Sequence, residues 1–271
     1  MLAPRRARLK PPTGKVELPL SSNPPATRLH IKDGLPAGGA LALDAAQAHR
    51  LLHVLRLGAG AAVIGFNEQD GEWLCRLAVP GRGKATLLPE RQLRPAAAAE
   101  ADLWLVFAPI KRARLDWLVE KATELGVAAL VPVWTERAQP ERVNRDRLVA
   151  LAVAAAEQSE RLSVPAVHEP QPLGRVLAAW PAARRLMLCD ETGGGAPIAA
   201  ALAGWPPAAP AALLVGPEGG FTERELDALG KLPIVTRVGL GPRVLRAETA
   251  ALAALAVFQA VAGDGGRVRP R

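Results

Sequence analysis

The 271-residue chain has no tyrosine, and its aromatic residues are four phenylalanines and six tryptophans. A core must therefore come from aliphatic side chains, and a 49% apolar composition rich in alanine supplies one. Cysteine is almost absent. Cys75 and Cys189 stand far apart and form no CxxC pair, so no disulfide framework or cysteine zinc site is implied, which suits a reducing cytoplasm. No apolar run reaches membrane-spanning length without a charge or proline. The nearest, residues 247–262, contains Glu248 and Gln259 and reads as a buried helix. The N-terminus carries arginines but lacks the apolar stretch of a secretory signal. Also missing are an internal repeat, a GxGxxG fingerprint, a Walker lysine, and a serine or cysteine nucleophile with a paired base.

What is present begins with charge. The net balance is +8 and the isoelectric point is near 10.3, which favours a polyanionic partner. The excess is uneven: residues 1–33 hold seven Lys/Arg against two Asp/Glu. Residues 1–25, rich in Pro, Lys, Arg and Ser without periodicity, read as a disordered basic extension. Residues 26–95 show short strands over 28–31, 39–43, 61–67, 72–79 and 84–89, with one helix that Asp44 caps. That pattern predicts a small β-barrel or partial barrel. From 96 to 271 strands and helices alternate, which predicts an α/β domain with a mostly parallel sheet covered on both faces. Its strands are expected over 103–109, 129–134, 185–189, 212–215 and 234–238, and its helices over 112–125, 144–162, 173–180, 196–203, 222–229 and 247–262.

Two segments carry chemistry. Gly216-Pro-Glu-Gly-Gly-Phe221 follows a buried strand and precedes a helix that opens on the capping box Thr222-Glu-Arg-Glu225. Loops at the carboxyl ends of parallel strands are where α/β proteins bind ligands, and adjacent glycines let a ligand approach the main chain. A tight turn alone needs fewer glycines. The second segment, Leu240-Gly-Pro-Arg-Val-Leu-Arg-Ala-Glu-Thr-Ala250, places Arg243 and Arg246 at the positive end of the last helix. A cation there is unfavourable by roughly 0.3–1 kcal/mol unless a carboxylate such as Glu248, or an anionic ligand, compensates. Lys111, Arg112 and Arg114 crowd another helix start in the same way, either as a solvated basic face or as an RNA phosphate site. His49 and His53 share one helix face, but no third ligand stands at metal-site spacing, so no metal is expected. Trp117, Trp134, Trp180 and Trp205 read as core or interface residues.

Taken together, these two segments resemble the C-terminal signatures of the RsmE-type family, SPOUT-class uracil-N3 methyltransferases of small-subunit ribosomal RNA. His49-Arg-Leu-Leu-His-Val-Leu-Arg56, Lys121-Ala-Thr-Glu-Leu-Gly-Val127, Glu157-Gln-Ser159 and Val164-Pro165 extend the resemblance over residues 26–263. Residues 1–25 have no counterpart, and Glu160 stands where many members carry glycine.

The resemblance implies a PUA-like barrel followed by an α/β domain with a trefoil knot, dimerisation through the knot, and S-adenosylmethionine as methyl donor. It implies that the cofactor is held by Leu188, Asp190, Gly216, Pro217, Glu218, Gly219, Gly220, Leu240, Gly241, Val244 and Leu245. On this reading Arg246, then Arg243, stabilises charge on the uracil oxygens, and Glu248 orients the arginine or accepts a proton through water. RNA contacts would come from Arg50, Arg56, Lys111, Arg112 and Arg114. Two alternatives stay open, a related ribose 2′-O-methyltransferase and a non-catalytic RNA-binding assembly factor.

Overall fold

The computed structural model describes residues 25–35, 39–96, 100–138, 143–206 and 209–267. The extension expected over residues 1–25 lies outside them except for its last residue. The N-terminal part contains β1 (Arg28–His30), β2 (Leu41–Ala42), α1 (Ala45–His49), β3 (Ala62–Asn67), β4 (Gly71–Gly81) and β5 (Lys84–Arg94). They form one five-stranded sheet in the order β1-β3-β4-β5-β2, parallel only between β1 and β3. Asp44 accepts from the Gln47 amide and the Gln47 side chain returns to the Asp44 N–H, so a full capping box starts α1. The helix then widens into one π-type stretch, Arg50–Val54. Leu29, Leu51, Val63, Leu77 and Leu87 pack inside this sheet.

The second part runs β6 (Leu103–Phe107), α2 (Arg112–Glu124), β7 (Ala129–Trp134), α3 (Arg145–Ser159), β8 (Ala166–Val167), β9 (Gln171–Pro172), α4 (Leu173–Ala178) and β10 (Arg185–Cys189). It continues through β11 (Ala196–Pro197), α5 (Ile198–Leu202), β12 (Ala211–Val215), α6 (Glu223–Gly230), β13 (Val235–Gly239) and α7 (Ala247–Val261). Every pairing in its sheet is parallel, in the order β11-β13-β10-β12-β6-β7-β8, with β9 beside β7. The expected α/β architecture is therefore what forms. β8, β9 and β11, two residues each, carry too little pattern to be read from sequence.

Side chains alternate across a strand, so each central strand feeds two cores. Leu103, Leu105, Phe107, Met187, Leu213 and Val215 face one side, where residues of α2, α3, α5 and α7 cover them. Val106, Leu186, Leu188, Ala212 and Leu214 face the other, under α4 and α6. Connections create the site. After β6, β7 and β8 the chain crosses back to lay down β10, inserts β12 between β10 and β6, and returns to place β13 beyond β10. The carboxyl ends of β13, β10 and β12 thus lie next to one another, and so do the loops that follow them.

Candidate active site

Those three loops enclose a cavity of about 480 Å³. Its wall includes residues 189–193 after β10, 215–218 and Gly220 after β12, and residues 239–247 after β13, with Ala250 of α7 behind. The structure brings together nine of the eleven residues expected to hold a cofactor; Leu188 and Gly219 do not line the cavity. The alternation of the strand explains Leu188, which points into the opposite core, while Cys189 one residue later turns toward the cavity. Gly219 faces Arg137 instead. Glu191, Thr192 and Gly193 also line the cavity; the run Gly193-Gly-Gly195 after β10 was the signal that could have found them.

The loops after β10 and β12 are braced by charged side chains. Asp190 accepts from the Thr192 amide (2.9 Å) and hydroxyl (2.7 Å) and from Arg237 Nε (2.8 Å) and Nη2 (2.6 Å). Burial pushes this carboxyl up, but the donors from Thr192 and Arg237 outweigh it and hold the group below its ordinary value. Glu191 Oε1 accepts the Phe221 N–H at 3.0 Å and so ties the first loop to the second. Gly220 takes φ +67°, and a Cβ there would lie 2.2 Å from the same oxygen. From outside, Arg137 Nη1 donates to the carbonyls of Gly219 (3.0 Å) and Phe221 (3.2 Å). Nothing in the sequence singled out Arg137.

Arg243 and Arg246 both line the cavity and are exposed. Arg246 is the N-cap residue of α7 and makes no side-chain cap there. The sequence leaves Arg246 either a pairing with Glu248 or an anionic ligand, and no Glu248–Arg246 ion pair forms among the described residues. Glu248 Oε1 instead lies 3.5 Å from Arg114 Nε, because α2 packs beside α7, and Arg114 also reaches Glu218 at 3.7 Å. Glu248 Oε2 is buried without a hydrogen-bond partner among the described residues. Arg114 thus sits between two carboxylates, while Lys111 and Arg112 are exposed at the start of α2. Arg50 holds Glu157 at 2.5 Å, and Arg56 is exposed with φ +54°. The His49 and His53 rings lie with centroids 5.2 Å apart, tilted by 40°. Burial pushes the Cys189 thiol up to about 12, so it stays protonated beside the cavity. Among the described residues no helix is long and apolar enough to cross a membrane.

Comparison with known proteins agrees with this geometry. Residues 98–259 match a family described as the RNA methyltransferase domain. The chain is 32% identical, over 77% of its length and 84% of the other's, to ribosomal RNA small subunit methyltransferase E of Rickettsia conorii. The crystal structure of the Neisseria gonorrhoeae protein of that name, bound to S-adenosyl methionine, is 27% identical with a TM-score of 0.74, covering 88% of this chain and 98% of that one. The structure of a Legionella pneumophila protein in complex with the bound cofactor SAM gives 26% and 0.75 over the same shares.

Proposed function

Because the chain belongs to the ribosomal RNA small subunit methyltransferase E family, we propose that it methylates N3 of one uridine in small-subunit ribosomal RNA, using S-adenosylmethionine. One observation carries this reading: three glycine-bearing loops from adjacent parallel strands enclose a single cavity whose wall holds two arginines. The residues fit the cofactor. Val215, Leu240, Leu245 and Ala250 offer apolar surface, Glu191 and Glu218 offer carboxylates to a cationic ligand, and the volume is that of a small-molecule site. When bound, S-adenosylmethionine supplies an electrophilic methyl group.

The protein's own share is alignment and charge. Uracil N3 must lose its proton, which moves negative charge onto the flanking carbonyl oxygens. Arg246, with Arg243 beside it, is placed on the cavity wall to stabilise that charge. Glu248, fixed by Arg114, is the carboxylate that takes the proton through water. Lys111 holds an RNA phosphate, and the N-terminal sheet with Arg50 and Arg56 grips flanking RNA. We read residues 26–95 as a PUA-like barrel and 96–271 as a trefoil-knotted domain, a reading supported by β12 entering between strands already laid down. Such threading is rare. Exposed Trp117 on α2 and Val261 on the neighbouring α7 support a homodimer, and the expected compartment is the cytoplasm.

The test is incubation with labelled S-adenosylmethionine and small-subunit RNA, followed by digestion to nucleosides. 3-Methyluridine is expected. Label on a ribose 2′-oxygen would replace this reading with the 2′-O-methyltransferase, and absence of both transfer and cofactor-binding heat would leave a non-catalytic RNA-binding factor. Arg246→Ala should slow transfer by about 10²–10³-fold, as loss of one charge-stabilising donor does, while cofactor affinity is largely kept.

A further inference from the structure

The first turn of α2 separates two cavities. On one side Arg114 reaches Glu218 in the wall of the cavity already described. On the other, Arg112 and Leu115 line a second cavity of about 470 Å³, at the carboxyl end of β6 and the start of α3. Ile110, Leu115 and Leu148, all buried, give it an apolar floor, and half-buried Val143 stands at its side. Asp116 and Arg147 lock each other across it, with Nε donating to Oδ1 at 2.9 Å. Arg112 is exposed and makes no ion pair or hydrogen bond among the described residues. No step of the proposed methyl transfer uses this space.

Its chemistry selects an occupant. Arg147 is engaged by Asp116 and Asn144 by the cap of α3, so above the apolar floor a phosphate finds few free donors, whereas a flat heterocycle gains from apolar walls and from a guanidinium able to lie against its face. The location selects further: a strand that runs over the first turn of α2 with its target base in the first cavity meets the second. We propose that the second cavity is an RNA subsite that holds one unstacked nucleobase flanking the target uridine, with Arg112 stacked on its face. This inference rests on the proposed RNA methyl transfer and adds how the substrate strand is gripped. It also accounts for Arg112 standing clear of the carboxylates that hold Arg114.

The experiment measures KM for RNA fragments that carry a single abasic nucleotide at successive positions around the target. One flanking position should cost the wild-type protein about tenfold, the value of one stacked base. Val143→Trp, which fills the cavity, should raise KM for intact RNA by the same factor and lose sensitivity to that abasic position, because the two changes remove one interaction. Arg112→Glu, a surface change, should act in the same direction and serves if the tryptophan variant does not fold. The dissociation constant for S-adenosylmethionine should not move in either. Equal abasic penalties in wild type and both variants would overturn the subsite while leaving methyl transfer intact. A wild-type protein that binds S-adenosylmethionine but methylates no small-subunit RNA would remove the RNA reading, and the subsite with it.

Discussion

Gly219 and Gly220 are neighbours in sequence but meet different demands. Gly220 has φ +67°, which costs a residue with a side chain about 1–2 kcal/mol, and its Cβ would displace the Glu191 oxygen that accepts the Phe221 N–H. Adding the loss of that hydrogen bond, Gly220→Ala should cost roughly 2 kcal/mol and weaken S-adenosylmethionine at least about tenfold. A Cβ on Gly219 would sit 3.5 Å from Arg137, an ordinary contact, so Gly219→Ala should change affinity by less than about threefold. Titration calorimetry on the two variants decides this; equal losses would mean that the loop needs both glycines for ligand approach, not one for backbone shape. The glycine pair was visible in the sequence, but which member bears the strain was not, since that depends on where Glu191 arrives from the neighbouring strand. The same limit applies to Glu248. Its nearness to Arg246 along the chain allowed a pairing, and packing of α2 against α7 gives it Arg114 instead. Glu160 went the other way: standing where related proteins often have glycine, it adopts φ +61° at the end of α3, as that position requires.

At the scale of elements, legibility followed local signals. The capping boxes of α1 and α6 and the Asn144 cap of α3 are written in side chains three residues apart, and all three helices start where those residues lie. The π-type widening after α1 has no such mark. The loop after β10 shows its glycines in the sequence but not that its order depends on one carboxylate. Asp190 collects Thr192 and Arg237 around itself, and its folded-state pKa is depressed because those donors outweigh the cost of burial. A depressed carboxylate contributes stability that is present above its unfolded value, about 3.9, and is lost as pH falls through the folded value. Asp190→Asn should therefore lower stability at pH 7 by roughly 1–3 kcal/mol and flatten the decline in acid. It should also weaken cofactor binding, since residues 190–193 line the cavity. Urea titrations at neutral pH and near pH 4 test this, and an unchanged acid slope would show that the brace contributes nothing to folding.

For the molecule as a whole, the alternation of strands and helices announced the α/β sheet, but strand order did not follow from it. No local pattern says that β12 lies inside β10, and the adjacency of the three loops depends on that placement. The joint between the two sheets was equally hidden. Arg28, on β1, donates to the carbonyls of Ala156 (3.1 Å), Glu157 (3.0 Å) and Arg161 (3.1 Å) at the end of α3, and to Glu72 at 2.7 Å. Arg94 adds a bond to the Glu160 carbonyl and a second to Glu72, and Arg50 holds Glu157. Carbonyls in the last turn of a helix lack donors of their own and favour a cation, so α3 presents a socket and the N-terminal sheet fills it. Burial lowers the Arg28 pKa while Glu72 opposes that shift; burial raises Glu72, but Arg94 and Arg28 outweigh it and hold it below its ordinary value. The joint is therefore strong above the unfolded glutamate value, about 4.3, and loosens as pH falls through the folded one. Arg28→Met keeps most of the stem but strips three carbonyls of their donor and leaves Glu72 to Arg94 alone, and should cost about 3 kcal/mol, the lower end for a broken buried pair. Calorimetry should then resolve two transitions where the wild-type protein shows one, the lower belonging to the N-terminal sheet. Because the active-site loops lie on the other sheet, S-adenosylmethionine should still raise the upper transition of this variant. If the variant melts in a single step at the wild-type temperature, the joint is not what holds the two sheets in one cooperative unit.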